Sequence, residues 1–184
     1  TYENCWSFNN GYLKDGTKGK GDGNGFKTGG SDNKERKHNA TYYRCISTHN
    51  VADGFDHNSN RGTVKILNCS ATGNGRNIAF AEKNELEKIV IINTLVLGDL
   101  GKYNAEVEKV EHNSWQMDFK VGPKDFVSLD RSQLSAPRES DGSLPHIDFM
   151  RPKKGSKLID VGEVLDKNYE GKAPDLGAIE AGRK

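Results

Sequence analysis

The chain has 184 residues, only 33% of them hydrophobic, and its mean hydropathy of −0.80 is too polar for an ordinary packed globule of this size. A formal charge of +1 gives no global field that argues for nucleic acid, and no stretch approaches the ~18 apolar residues of a membrane span. Glycine at 21 positions against proline at 5 fits many tight turns rather than a disordered linker.

Residues 2–8, Tyr-Glu-Asn-Cys-Trp-Ser-Phe, read as one strand with alternating faces, Cys5 inward, closed by a turn at Asn9-Asn10-Gly11. Residues 12–24 are rich in Gly, Lys and Asp and read as a loop. Gly25-Phe26-Lys27 resumes a strand, which Gly29-Gly30 ends. Period-two alternation puts Lys27 outside if Phe26 points inward. The plan then repeats: Thr41 to Ser47 is a strand around Cys45, Asn50 marks the turn, and Gly54-Phe55-Asp56 is a second strand with Phe55 in and Asp56 out. Val64 to Ala71 surrounds Cys69 and leads to Asn74 and Asn77-Ile78-Ala79-Phe80. That last strand aligns less cleanly, because Ile78 and Phe80 want the same face. Lys88 to Leu97 is the most apolar stretch and reads as a strand buried on both faces. Glu82 to Lys88 and Tyr103 to Glu111 are charged and read as loops or short helical turns. Short strands are expected within Asp118 to Asp130, Ile147 to Met150, Leu158-Ile159 and Leu176 to Ile179, in a portion punctuated by all five prolines.

One phrase recurs through this plan. Asn4-Cys5 with Asn10, Arg44-Cys45 with Asn50, Asn68-Cys69 with Asn74 and Asn93-Thr94 with Asp99 each place a polar turn residue five positions after the Cys or Thr. The later copies are 24 and 25 residues apart, whereas the first two are 40 apart, as if one rung carried an insertion. A period of this size in a Gly- and Asn-rich β sequence predicts an all-β solenoid, a parallel β-helix. Residues 1–101 are its rungs, with the inserted loop at 12–24, and residues 102–184 are its last irregular rungs and a cap of the same domain. The odd number of cysteines, each at an equivalent repeat position, fits stacked buried thiols rather than a disulfide framework. Residue 2 already lies in a regular strand without a cap, so the chain is expected to be a partial solenoid, the C-terminal part of a longer one whose upstream rungs cover that end. The opening Thr-Tyr-Glu-Asn is no leader, so any leader is expected outside the chain.

Residues 14–38 hold seven basic side chains (14, 18, 20, 27, 34, 36, 37) against four acids (15, 22, 32, 35), either a solvated loop or a rim that attracts a polyanion. Lys27 and Asp56 follow equivalent Gly-Phe pairs and should project side by side, since neighbouring parallel strands lie ~4.8 Å apart. As a bare surface pair they would contribute about 0–1 kcal/mol. Asp53 and Asp22 are further acids near this face, too few for the roughly 6–8 oxygens that Ca²⁺ prefers. The five histidines, His38, His49, His57, His112 and His146, show no metal spacing.

The string Gly23-Asn24-Gly25-Phe26-Lys27-Thr28-Gly29-Gly30, with Gly54-Phe55-Asp56-His57-Asn58 and Asn68-Cys69-Ser70-Ala71 before Asn74-Gly75-Arg76-Asn77, resembles polysaccharide lyase family 9. Asp125 to Asp130, Ala136-Pro137-Arg138, Asp141 to Pro145 and Ala173 to Glu180 extend the resemblance over nearly the whole chain. It implies a right-handed parallel β-helix and a secreted, periplasmic or cell-surface bacterial enzyme that cleaves acidic pectic polysaccharide by β-elimination. It implies that Lys27 is the Brønsted base, removing the C5 proton of a uronate. A lysine, with a reference pKa of ~10.4, suits that role once burial or nearby cations favour its neutral form. It implies Ca²⁺ as cofactor, held by an Asp-Asp-Gly-x-Asp cluster in the rung before the lysine. No such string occurs here, so the main ligands are expected upstream of Thr1, with Asp53 and Asp56 as partial candidates, and the isolated chain is expected to be inactive. Arg76 and Arg61 are candidates to clamp a substrate carboxylate, and Arg36, Lys18 and Lys20 to add positive potential. Trp6, Phe8 and Trp115 can stack on sugars or serve as cap and core. Two alternatives stay open: a rhamnogalacturonan backbone as substrate, or a non-catalytic β-helical binding or structural module in which Lys27 and Asp56 are only a surface pair.

Overall fold

The computed structural model describes residues 1–80, 85–166 and 168–182. The first rung holds β1 (Tyr2–Glu3), β2 (Trp6–Phe8) and β3 (Phe26–Lys27). The second holds β4 (Ala40–Tyr43), β5 (Ile46–Thr48) and β6 (Asp53–Asp56), and the third β7 (Thr63–Leu67), β8 (Ser70–Thr72) and β9 (Arg76–Phe80). The fourth holds β10 (Leu86–Ile92), β11 (Leu95–Leu97) and β12 (Gly101–Tyr103), and β13 (Ala105–Glu111) opens a fifth. All ladders between these strands are parallel and form three sheets, β1-β4-β7-β10-β13, β2-β5-β8-β11 and β3-β6-β9-β12. The chain is therefore a parallel β-helix. No helix among the described residues is long and apolar enough to cross a membrane.

Each stretch read as one strand around a cysteine is two strands meeting at a corner. The residue before each Cys or Thr turns the chain: Asn4, Arg44, Asn68 and Asn93 have φ of 50°, 52°, 49° and 55°. Alternation of apolar residues carries no mark of such a corner, whereas asparagine's tolerance of the left-handed region does. The corner amides of Asn4, Arg44 and Asn68 donate to Tyr43, Leu67 and Ile92 on the next rung. Just inside the corners, the Cys45 and Cys69 sulfurs sit 3.5 Å from the carbonyls of Tyr2 and Tyr42, and Thr94 Oγ1 sits 3.3 Å from that of Ile66. These thiols are free, and burial pushes the Cys69 thiol well above its ordinary pKa.

A second column fixes the pitch. Asn50 Oδ1 accepts from the backbone and side-chain amides of Asn10 at 3.0 and 2.7 Å. Asn50 Nδ2 donates to Asn74 Oδ1 at 2.9 Å, and the Asn50 backbone N–H donates to the same oxygen. The Asn10–Asn50 step spans the 40-residue interval as readily as the Asn50–Asn74 step spans 24. Inside the coil, Phe26, Phe55 and Ile78 are register partners, with the two phenyl rings stacked at 5.2 Å. The third rung is thus better aligned than its sequence predicts: Ile78 continues the phenylalanine column and Ala79 faces out behind Asp56. Tyr42 completes this core edge-on to Phe55 at 5.4 Å.

Ile89, Ile91, Leu95 and their neighbours in β10 and β11 are buried on both faces, as expected. The charged run at 105–111 is strand β13 rather than a loop or helical turn. It pairs with β10 from Leu86↔Ala105 to Ile92↔Glu111, and its charges point into solvent from the last strand of that sheet. Of the run read at Glu82 to Lys88, residues 82–84 lie outside the described residues and Leu86–Lys88 belong to β10.

The strands expected between Asp118 and Ile179 do not form among the described residues. Two 3-10 turns, Pro123–Asp125 and Arg131–Ser135, and two isolated bridges, Phe126↔Pro152 and Ser128↔Phe149, are the regular features there. The apolar runs are nevertheless buried: Phe126, Leu134, Ile147, Phe149, Met150, Leu158 and Leu176 form a second core with Ile46 and Leu95. They pack on the outer face of β2-β5-β8-β11, where apolar side chains find burial without a ladder partner. Ser70 Oγ accepts from the Ala178 amide at 2.9 Å, and Asn93 Oδ1 from the Glu163 amide at 2.7 Å.

Candidate active site

Lys27 ends β3, and its side chain leaves the coil on the outer face of β3-β6-β9-β12. Two irregular segments flank β3, so its position depends on pins to the second rung. On the N-terminal side, Gly25 N donates to Asp53 O at 2.7 Å. A side chain at Gly25 would collide with Ser47 Oγ and Gly54 O, so the close approach requires glycine. Asn24 doubles this pin: its Oδ1 accepts from Asp53 N at 2.9 Å and its Nδ2 donates to Asp56 Oδ2 at 3.1 Å. On the C-terminal side, Thr28 N donates to Asp56 O at 3.0 Å, and Thr28 Oγ1 donates to His57 O at 2.9 Å. From inside the coil, the Tyr42 hydroxyl donates to Lys27 O at 3.3 Å, and burial raises that phenol's pKa so that it stays a donor.

Lys27 and Asp56 are register partners, but they do not form the expected surface pair. Lys27 Nζ instead meets Asp22 Oδ2 at 3.0 Å, with the lysine side chain 37% exposed. Asp56 is nearly buried and turned toward the protein, taking Asn24 on one oxygen and the Asn58 amide at 3.2 Å on the other. Asp53 is committed as well: Arg76 Nε and Nη2 hold its two oxygens at 2.7 and 2.8 Å. This is a bidentate cross-rung pair between register partners β6 and β9.

Asp53 and Asp56 therefore do not fit a calcium site. Their oxygens serve donors of the protein itself, and among the described residues no group of three or more His, Cys, Asp or Glu can hold a metal ion.

The other candidates are dispersed. Arg76 stands one strand beyond Asp56 with its guanidinium half-exposed. Arg61 lies between β6 and β7 and pairs with Glu35 of the segment after β3 at 3.1 Å. Lys20 and Arg36 are exposed on the segments before and after β3. Trp6 and Phe8 pack against the second core, and Trp115 packs against the first, near Tyr103. The roles of Asn24 and Thr28 as anchors were not read from the sequence. The available signal was their position on either side of Gly25-Phe26-Lys27.

Residues 1–104 match a family model described as the Pel9A-like, right handed beta helix region. Pectate lyase L of Dickeya chrysanthemi is 37% identical over 183 residues, 97% of this chain and 41% of the relative. Pectate lyase L of Paenibacillus polymyxa is 33% identical over 172 residues, 88% of this chain and 36% of that protein. The crystal structure of pectate lyase Pel9A superposes with a TM-score of 0.85 at 35% identity, over 97% of this chain and 44% of that one. A rhamnogalacturonan lyase structure shares the fold with a TM-score of 0.70 at 23% identity, over 84% of this chain and 43% of that one. The chain thus spans about two fifths of the length of the first of these relatives.

Proposed function

The chain belongs to the Pel9A-like right-handed β-helix family, within polysaccharide lyase family 9, and from that premise we propose that Lys27 is the Brønsted base of a β-elimination on pectic polyuronate. One observation carries this reading. The lysine of Gly-Phe-Lys is the outward residue of β3, pinned on both sides by Asn24 and Thr28, with its ammonium at the surface.

The neutral amine of Lys27 takes the proton from C5 of a uronate. The C5–H electron pair forms the C4–C5 double bond, and the C4–O glycosidic bond breaks toward the leaving sugar. The leaving oxygen takes a proton from water and the Lys27 ammonium returns its own to solvent, giving an unsaturated uronate at one new end and an ordinary sugar at the other. The pins fix the backbone from which Nζ reaches the reacting carbon, and a misplacement of about 1 Å can lower the rate about 100-fold. Asp22 holds the ammonium in the absence of substrate and must give way, so that approach of substrate includes exchange of this exposed pair. Arg36 and Lys20 add positive charge for a polyanion, and Arg76 and Arg61, paired with Asp53 and Glu35, would exchange those carboxylates for the substrate's.

The calcium ligands of this reading lie outside these 184 residues, and the protein is secreted, periplasmic or on the cell surface, its activity needing upstream rungs. Homogalacturonan is favoured over rhamnogalacturonan, because the relatives at 37% and 35% identity are pectate lyases whereas the rhamnogalacturonan lyase match, at 23%, speaks to fold alone.

Ultraviolet absorbance of unsaturated uronates tests the proposal. The full-length protein with calcium should produce it from polygalacturonate, and Lys27→Ala should lose at least 1,000-fold. A fully active Lys27→Ala protein would sink the mechanism.

A further inference from the structure

Arginine interrupts the corner pattern at one place. Asn4, Asn68 and Asn93 hold the corners before Cys or Thr, and Arg44 holds the remaining one at φ 52°. Asparagine tolerates that backbone region far better than arginine, so the exception asks for a role. Arg44 is 4% exposed. Its Nε donates to the Tyr43 hydroxyl at 3.1 Å, its guanidinium lies over the Tyr43 ring at 5.4 Å, and Nη2 is 3.5 Å from Glu180 Oε1. Nη1 has no hydrogen-bond partner among the described residues. A buried guanidinium nitrogen left without an acceptor is unfavourable, and an anion would relieve it.

Arg44 lines a cavity of about 550 Å³ between the outer face of β2 and β5 and the C-terminal segment, a size that suits a small ligand. Arg138, Arg151, His146, Glu180 and Trp6 also line it. Arg138 is exposed and bonded to the Gly142 carbonyl, and Arg151 is largely buried and paired with Asp148. The three guanidiniums meet two carboxylates, Asp148 on Arg151 and Glu180 beside Arg44, and burial and the neighbouring Asp175 charge push Glu180 up to about 7. The cavity is therefore cationic, and Trp6 gives it an aromatic wall. It opens on the β2-β5-β8-β11 sheet, whereas Lys27 stands on β3-β6-β9-β12.

We propose that this cavity is a second carbohydrate site, which takes a single uronate unit with its carboxylate toward Arg44 and Arg138 and its ring against Trp6. The choice of a uronate over other small carboxylates rests on the proposed pectic substrate. The cationic cavity itself does not. Such a site would hold the end of an acidic chain away from Lys27 and raise the local concentration of substrate.

Calorimetric titration of the full-length protein with D-galacturonate, D-galactose and inorganic phosphate tests this. Galacturonate should bind, with galactose at least ten-fold weaker and phosphate unable to displace it. Arg138→Ala and Arg44→Gln should each weaken galacturonate at least ten-fold with unchanged circular dichroism, and Lys27→Ala should leave it intact. If Arg44→Gln fails to fold, Arg138→Ala decides. Equal binding of galactose, displacement by phosphate, or galacturonate binding that survives Arg138→Ala overturns the proposal. Galacturonate binding in a protein without lyase activity would refute the proposed function and uphold this site; lyase activity without galacturonate binding would do the reverse.

Discussion

Replacing Asp56 with alanine separates a positioning role from a metal-binding one. Asp56 accepts from Asn24 Nδ2 at 3.1 Å and Asn58 N at 3.2 Å, and is 7% exposed. Hydrogen bonds to a charged acceptor contribute about 1.5–3 kcal/mol each, and at these lengths the lower end applies, so the loss should be about 3 kcal/mol. About half of that falls on Asn24, whose side chain ties the segment carrying Lys27 to the second rung. Freed of that tie, Nζ should wander by a good fraction of an ångström, and kcat should drop about 10- to 100-fold with KM little changed. Urea unfolding and steady-state kinetics of the full-length protein measure both. Asn24→Ala should reproduce the kcat loss, and the double variant should lose little more, because the two side chains act as one unit. Additive losses would refute the reasoning. So would an Asp56→Ala protein that needs at least ten-fold more calcium and regains full activity at high calcium, the behaviour of a metal ligand.

Other consequences can be measured in the same protein. Asn50→Ala removes the acceptor of two Asn10 donors and a donor to Asn74, Ser47 and Ser7, and should lower stability by about 3–5 kcal/mol in urea, whereas a loss below about 1 kcal/mol would mean the column is idle. Glu180 is raised from its ordinary 4.5 to about 7 by burial, so its contribution is complete below pH 4.5 and is lost as pH rises through 7. Wild type minus Glu180→Gln stability should therefore fall by ~3 kcal/mol across that window, and a flat difference would contradict the burial argument. Cys45 and Cys69 should resist thiol reagents in the native protein and react on unfolding, and native modification of either would argue against the closed column.

The rungs were legible because each turn reuses Asn or Cys at a fixed offset, and Lys27's outward face followed from alternation around Phe26. Corners were not legible: Asn4 and Arg44 interrupt no hydrophobic pattern, and their signal is a backbone preference, not a period. The run at Ala105–Glu111 was misread because its charges resemble a loop when the ladder to β10 is unknown. The stretches around Phe126, Phe149 and Leu176 were read as strands and are instead buried irregular segments, since apolar residues seek burial whether or not a ladder partner exists. The Lys27–Asp22 pair depends on the path of an irregular segment, and the Arg44–Glu180 contact joins distant parts of the chain. Neither leaves a local trace.

The bond from Asn10 to Asn50 closes across forty residues as though the intervening segment were absent. The coil therefore counts rungs, not residues. Segments 12–22 and 31–37, which leave out the Asn24 and Thr28 pins, can be lengthened, shortened or exchanged without altering the pitch that the asparagines set. Selection can thus rewrite the walls around Lys27 while the strand that carries it stays in place. Grafting these two segments between relatives is a direct way to move substrate preference on an unchanged scaffold.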